Sequence, residues 1–350
     1  MGQHLVSADL LIIKFNLIVK NEMNKIIKCL LLLGLVQIPI VHAEYALEKL
    51  KGIWAGAEVM GCDKKTAQLV RSALAIEDGT PFSFNEEYFE ALCEKAKRTV
   101  PEQEVKCAFI GYGDGKYYYN VEIVEKVHNS SEYRTIEKPI RPIQKLPEEL
   151  LTLHEQWNNR FSDMLVSGNA DDIGEHCENG CLNYGDQTLQ DIATKLLVLC
   201  SKNNALLLET IRFSPDSDQR SVAATLLSWA KHFDNVNYIL KWDLINDPDE
   251  GVRNDLTRSL SCTITKVKDV EVLNEMVSHL CKQASLPSHA DRNKALSTLQ
   301  TMLSSHPVIS ASINKECRNT ITNISEMSIL INAGGIAKDI LTKIDDDYHA

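Results

Sequence analysis

The fold is decided by one stretch in the second half of the chain, Asn246-Asp247-Pro248-Asp249-Glu250-Gly251-Val252-Arg253. Proline cannot continue a helix that precedes it, and the aspartate that follows is a favoured N-cap of a new helix. Arg253 follows four residues after Asp249, within the first turns of that helix. The stretch therefore predicts a turn that ends one helix and starts another.

The pattern recurs, which makes it an internal repeat. An arginine follows the proline five residues later at Pro215, Pro248 and Pro287, and successive copies are 33 and 39 residues apart. Such spacing is typical of stacked helix pairs, because one pair alone cannot bury its apolar stripe. The middle copy resembles the start of a HEAT-like repeat. That resemblance implies an all-α helical-repeat solenoid over residues 148–344, with an acidic tail at 345–350.

Two residue types of the repeat are expected to have a structural role. The aspartate caps the first helix, where a negative charge also interacts favourably with the helix dipole. The arginine is expected to bond the aspartate of a neighbouring repeat, so that successive repeats form a ladder. The residues concerned are Asp216, Arg220, Asp249, Arg253 and Arg292.

Residues 44–127 have a different pattern, in which strands and helices alternate. A strand over 53–60 precedes a helix over 64–75, and Ser83 is expected to cap a second helix. Two β-rich runs then meet at Asp114-Gly115, and an Asp-Gly turn between such runs indicates a hairpin. The predicted order is β-α-α-β-β, which describes an α+β domain.

This first domain resembles a POTRA-like domain, the small periplasmic module of outer-membrane assembly and translocation proteins. The matching positions are Ile76-Glu77-Asp78-Gly79-Thr80-Pro81-Phe82-Ser83 and the hairpin end Val121-Glu122-Ile123-Val124-Glu125. The resemblance implies a POTRA-like fold for residues 44–127. The segment that follows contains Pro139, Pro142 and Pro147, which exclude a continuous helix. We therefore predict a linker over residues 128–147.

The N-terminal region has the three parts of a secretory signal peptide. Lys25 and Lys28 give a positive start, residues 29–36 are apolar, and Val41-His42-Ala43 is a small-residue cleavage site. The apolar run is shorter than the about 20 residues that span a bilayer. A cleaved export signal is therefore predicted, and a long signal anchor is the alternative.

The signal peptide separates the N-terminal residues from the mature protein. We predict that the signal peptide covers residues 23–43 and that the mature protein begins near Glu44. Met23 is then the true start, and residues 1–22 are an over-extended start. After cleavage no apolar run is long enough for an integral membrane span. A bacterial source would place the mature protein in the periplasm or outside the cell.

Charge limits the classes of partner. The chain has 37 basic and 48 acidic residues, a formal net charge of −11. Nucleic acid is excluded as a partner, because phosphate binding needs a concentrated basic surface. A protein partner with a basic surface is favoured instead.

Ten cysteines are present, and only Cys29 lies in the export signal. Disulfides are expected in an oxidising compartment, and the odd number that remains leaves at least one thiol unpaired within the chain. A bridge between Cys93 and Cys107 would join the second helix to the hairpin. Cys177 and Cys181 are a second candidate pair. Helical periodicity predicts that three others are buried thiols: Cys200, Cys262 and Cys281.

The sequence contains no strong catalytic motif, neither a phosphate-binding glycine loop nor a nucleophile elbow. His176, Cys177 and Cys181 could supply three ligands of a soft metal, but a structural zinc site needs four. A disulfide or two unrelated thiols is the simpler interpretation. We therefore predict no metal, no cofactor and no enzymatic activity.

Three functional hypotheses follow. The favoured one is an exported, non-enzymatic scaffold that binds a protein partner on its helical repeats and pairs a strand edge through the α+β domain. The second is a secreted factor that acts on another cell or host. The third is a metal-dependent hydrolase that uses His154 and His176 with nearby acids, at a site near Cys177 and Cys181.

Overall fold

The computed structural model describes most of the chain, in two compact units. The first unit covers residues 9–124, and the second includes residues 125–350. The predicted signal peptide at 23–43 and its cleavage site lie outside the described residues. The ranges described are 11–14, 51–111, 114–124, 133–167, 169–178, 181–230 and 234–349.

The first unit is an α+β domain with a five-stranded sheet. The order across the sheet is β1-β4-β5-β2-β3, in which β2 and β5 are parallel and the other neighbours antiparallel. Its elements are β1 (Leu11–Lys14), β2 (Lys51–Met60), α1 (Lys64–Leu74), β3 (Pro81–Ser83), α2 (Glu86–Thr99), β4 (Glu104–Gly111) and β5 (Lys116–Val124).

This order corrects the predicted β-α-α-β-β pattern at two strands. Pro81–Ser83 pairs with β2, so Ser83 is not the helix cap, and Asn85 caps α2 by accepting from the backbone N–H of Tyr88 at 2.9 Å. Leu11–Lys14 pairs with β4, although it belongs to the segment predicted as an over-extended start. Both strands are too short for hydrophobic alternation to reveal them.

Aromatic side chains fill the core between the sheet and its helices. The Trp54 ring makes an edge contact with Phe82 at 4.9 Å between centroids, and Phe82 stacks on Tyr117 at 3.9 Å. The Tyr119 hydroxyl donates to the carbonyl of Phe89 at 2.9 Å, which satisfies a buried polar group. A disulfide between Cys93 and Cys107 joins α2 to β4, the pair considered from the sequence.

The second unit is helical, and its described residues also form one small hairpin. Its elements are α3 (Glu148–Val166), α4 (Ala170–Ile173), β6 (His176–Glu178), β7 (Cys181–Asn183), α5 (Gln187–Lys202), α6 (Asn204–Phe213), α7 (Ser217–Leu226), α8 (Asn235–Lys241), α9 (Glu250–Thr263), α10 (Val270–Ala284), α11 (His289–Ser305), α12 (Ser310–Met327) and α13 (Ile336–His349).

Alternate helices of this unit lie side by side. Helix α7 packs against α9, α9 against α11, and α11 against α13, while α10 packs against both α11 and α12. The apolar stripes are buried between them, as at Leu256, Leu296 and Ile340, each fully buried. This arrangement is compatible with a helical repeat, since each pair buries its stripe against the next.

The C-terminal end of the unit is also helical. Helix α13 continues through the acidic residues predicted as a tail, and the Asp345 carboxylate pairs with Arg318 at 2.8 Å. Among the residues that the structure describes, no helix has the length and apolarity needed to cross a membrane.

Candidate functional site: an arginine ladder and the segment it holds

Two buried ion pairs connect successive repeats. The Arg220 guanidinium holds Asp247 through Nε and Nη2, both at 2.9 Å. Arg253 holds Asp291 in the same way, at 2.9 and 2.6 Å. None of these four side chains is more than 6% exposed. A bidentate pair fixes the planes of both groups, so the ladder sets the spacing and orientation of α7, α9 and α11.

The same arginines also hold the turn that contains the repeat proline. The Nη1 atom of Arg220 donates to the carbonyls of Ser214 and Pro215, at 3.0 and 3.2 Å. Arg253 donates to the corresponding two carbonyls at 2.8 and 3.2 Å, and Arg292 repeats the contact in the third copy. Each arginine therefore satisfies the backbone of its own turn, and Arg220 and Arg253 also bond an aspartate of the next repeat.

The aspartates of the ladder are not those expected from the sequence. Asp216 and Asp249 cap α7 and α9, where they accept from backbone N–H groups at 2.9 and 3.0 Å. The arginines bond Asp247, two residues before the cap, and Asp291, which directly precedes Arg292. The expected ladder between repeats is present, but its acids are different residues.

A segment of the predicted linker lies on this ladder. We call residues 133–141 the strap. The Arg134 guanidinium donates to the carbonyls of Ile211 and Arg212, at 2.6 and 3.1 Å, and to Asp247 at 2.5 Å. Its backbone N–H donates to the carbonyl of Asn246 at 2.9 Å. The side chain is only 5% exposed, so the two terminal nitrogens of Arg134 make these contacts inside the helical unit.

Side chains on both sides of Arg134 extend the contact. The Tyr133 ring lies 4.6 Å from the Arg253 guanidinium, within cation–π distance. Glu137 pairs with Arg212 through both carboxylate oxygens, at 2.6 and 3.3 Å. Arg212 in turn lies 3.0 Å above the Trp242 ring. The strap thus contacts α6, the turn before α9 and α9 itself, which the proline content alone did not reveal.

The comparisons with known proteins give no relative. No family model, curated protein or solved structure matches this chain.

A second polar region surrounds the β6–β7 hairpin. Arg258 on α9 pairs with Glu175, and its guanidinium lies 5.7 Å from the Trp157 ring. A small cavity beside this pair is lined by Glu175, His176, Arg258 and Lys294, together with hydroxyls of α9 and α11. A disulfide between Cys177 and Cys262 attaches the hairpin to α9 at this point. The hairpin is therefore covalently fixed to the repeat stack.

The disulfide corrects the candidate pairing of Cys177 with Cys181. In the hairpin register Cys177 lies opposite Leu182, and Cys181 lies opposite Glu178. Neighbouring pairs of a ladder project from opposite faces, so the two cysteines point away from each other. The prediction of buried thiols at Cys262 and Cys281 is also wrong, because Cys281 is bonded to Cys317. Cys200 is a buried thiol, and burial raises its pKa.

The residues of the metal hypothesis are not brought together. The Cys177 sulfur is bonded to Cys262 and is no longer a thiolate ligand, while Cys181 projects from the other face. The His176 side chain is 46% exposed, and its Nδ1 lies 3.0 Å from the Gly174 carbonyl. His154 lies beside Trp157, and burial lowers its pKa. Within the described residues no three potential ligands form a metal-binding group.

One carboxyl of the repeat stack should make stability depend on pH. Asp255 accepts a hydrogen bond from Ser221, which joins α9 to α7, and burial raises its pKa. In the unfolded chain an aspartate has a pKa of about 4. Because its pKa is higher in the folded protein, the folded state binds the proton more tightly. The free energy of unfolding then falls as the pH rises from about 4 through the folded pKa.

Asp255→Asn removes this titration and keeps a hydrogen-bonding side chain. We expect its stability, relative to the natural protein, to improve as the pH is raised above about 4 through the folded pKa, measured by urea unfolding. Asp346→Asn on the exposed face of α13 is the matched control and should show no such trend. A stability difference that is constant across the pH range would contradict the role of Asp255.

Proposed function

We propose that the protein is an exported, non-enzymatic scaffold that holds a partner polypeptide on the surface of its HEAT-like repeats. The POTRA-like domain would add a second contact by pairing strand edges with the partner. The observation that carries the proposal is the strap, an extended segment that the helical unit already holds through Arg134 and Glu137. A surface that binds one extended segment has the chemistry to bind another.

The polarity of that surface supports a peptide ligand. Backbone carbonyls of Ile211 and Arg212 face the strap together with the Asp247 carboxylate. These acceptors recognise a guanidinium, whereas Arg212 recognises a carboxylate three residues further along. Alternating acceptors and donors of this kind suit a polypeptide with mixed charge.

The disulfides support an oxidising compartment. Three are present among the described residues: Cys93–Cys107, Cys177–Cys262 and Cys281–Cys317. Structural disulfides are typical of secreted and periplasmic proteins and rare in the cytosol. Together with the predicted signal peptide at 23–43, they favour a periplasmic or secreted protein. The proposal requires no catalytic group and no cofactor.

Charge reversal at the strap surface tests the proposal. The mature protein with Glu137→Ala, in which the strap no longer pairs with Arg212, is used to capture partners from the native envelope fraction. Beside it stand the same chain with Arg212→Glu added, which repels acidic groups at the strap site, and the same chain with Lys338→Glu added, the same charge change on exposed α13. We expect Arg212→Glu to weaken the affinity for the captured protein about tenfold, which corresponds to about 1.4 kcal/mol of binding free energy. Lys338→Glu should leave the affinity unchanged. Equal capture by both variants, or no captured protein at all, would contradict the scaffold function.

A further inference from the structure

We propose that the strap is an internal ligand and that the surface it covers is the partner site. This inference rests on the scaffold function proposed above and specifies the ligand. The site takes an extended peptide that carries an aromatic residue, an arginine directly after it, and an acidic residue three positions beyond the arginine. The strap has this pattern at Tyr133, Arg134 and Glu137.

The pocket for the arginine is built from groups that other elements hold in place. The carbonyls of Ile211 and Arg212 lie in the last turn of α6, where helix carbonyls lack intrahelical partners. The residue that would bond the Ile211 carbonyl is Pro215, which has no N–H. The repeat proline therefore leaves an acceptor open for an arginine from elsewhere. The negative end of the helix dipole favours the same cation.

The pocket selects arginine over lysine. Arg134 reaches three acceptors with two of its nitrogen atoms, at 2.5, 2.6 and 3.1 Å. A planar guanidinium presents its donors in a fixed fork, whereas an ammonium is a compact point charge. The flanking contacts add selectivity, since Arg253 contacts an aromatic ring and Arg212 pairs with a carboxylate.

When the strap leaves, two charged groups of the site, Asp247 and Arg212, each keep a second contact. Asp247 keeps its bidentate pair with Arg220 when Arg134 departs. Arg212 keeps its position above the Trp242 ring when Glu137 departs. The end of the strap is already weakly held, because Ile140 is fully exposed and the Arg141–Glu209 pair, at 3.7 Å, lies at the surface. A site that stays intact when emptied is suited to exchange one segment for another.

Tethering makes the strap a competitor of the partner. A segment joined through a short connection acts at an effective concentration of about millimolar. A partner peptide must displace the tethered strap from the site. Its apparent affinity is therefore lower for the natural chain than for a chain with a weakened strap. Strap release is therefore the step that opens the site.

The inference is tested with a fluorescein-labelled peptide of residues 131–142 and the full mature chain, by fluorescence anisotropy. The double variant Arg134→Gln with Glu137→Gln weakens the strap, and Lys138→Gln, an exposed strap position, is the matched control. We expect the peptide to bind the double variant at least tenfold more tightly than the natural chain or the control. A peptide with Arg134→Lys should lose at least tenfold in affinity for the double variant.

Equal binding to all three proteins, or no binding to the double variant, would overturn the inference. If the double variant loses its far-ultraviolet circular dichroism, Glu137→Ala replaces it, because this side chain is 45% exposed and leaves Arg134 in place. That variant should bind the peptide about threefold more tightly than the natural chain, and unchanged binding overturns the inference.

The result is separable from the test of the scaffold function. Peptide binding to the weakened-strap variant supports the internal-ligand inference even when no partner is captured from the envelope fraction. Partner capture that Arg212→Glu reduces, without any peptide binding, supports the scaffold function and contradicts the internal-ligand inference.

Discussion

Replacing Asp247 with alanine is expected to destabilise the protein by about 3–5 kcal/mol, the range found when one partner of a buried ion pair is removed. Asp247 is fully buried and accepts from Arg220 and Arg134 at once. Its Oδ1 also accepts from the backbone N–H of Asp249 at 2.9 Å. The substitution leaves two guanidinium groups buried without their counter-charge, so its cost exceeds that of an ordinary cavity at this position.

Asp249→Ala is the matched comparison, because it removes an aspartate from the same turn. Asp249 only caps α9, and loss of a cap costs about 1 kcal/mol. Urea unfolding monitored by circular dichroism measures both variants. If the two substitutions lower the free energy of unfolding equally, Asp247 does not act as the shared counter-charge of Arg220 and Arg134. Asp247→Asn, which keeps the shape and loses the charge, should lie between them.

The contrast between these two aspartates also shows what the sequence could predict. The positions of Asp216 and Asp249 as caps follow from local chemistry, since a proline-aspartate pair before an apolar stripe starts a helix. The choice of Asp247 over Asp249 as the arginine's partner depends on which side chain points towards the neighbouring helix. A repeat period of 33 residues brings both close to the arginine and cannot distinguish them.

The strap was not predictable for a related reason. Three prolines show that the segment is not a helix, but they carry no information about what it touches. Arg134 and Asp247 are 113 residues apart in the sequence, and no local pattern relates them. The signal that could have suggested the contact is an arginine between a tyrosine and an acid, in a segment otherwise described only by its prolines.

In the first domain, local sequence patterns likewise do not reveal the short strands, whose partners are far away in the sequence. The long hairpin β4–β5 is evident from its alternation and its Asp-Gly turn, and the structure has it at the predicted place. The strands Leu11–Lys14 and Pro81–Ser83 have four and three residues, and their pairing is decided by partners far along the chain. Local periodicity therefore gives the helices and the hairpin, whereas strand order requires the tertiary structure.

Removal of the Cys177–Cys262 disulfide should have the second large effect on stability. The bridge closes a loop with a sequence separation of 85 residues. In the chain-entropy model a loop of this length stabilises the folded state by about 4.5 kcal/mol. We expect the Cys177→Ala, Cys262→Ala double variant to approach this loss in urea unfolding under non-reducing conditions. Cys200→Ala, which replaces a buried thiol without opening a loop, is the matched control and should cost about 1 kcal/mol.

The pairing itself is tested by Cys181→Ser. If Cys177 is bonded to Cys262, this substitution leaves the bridge intact, and peptide mapping without reductant still recovers the peptides of Cys177 and Cys262 joined together. If Cys177 were bonded to Cys181, the substitution would release a titratable thiol at Cys177 and abolish the linked pair. The stability loss and the peptide map must agree, because only the long-range bridge fixes the hairpin to α9 and so restricts the unfolded chain over 85 residues.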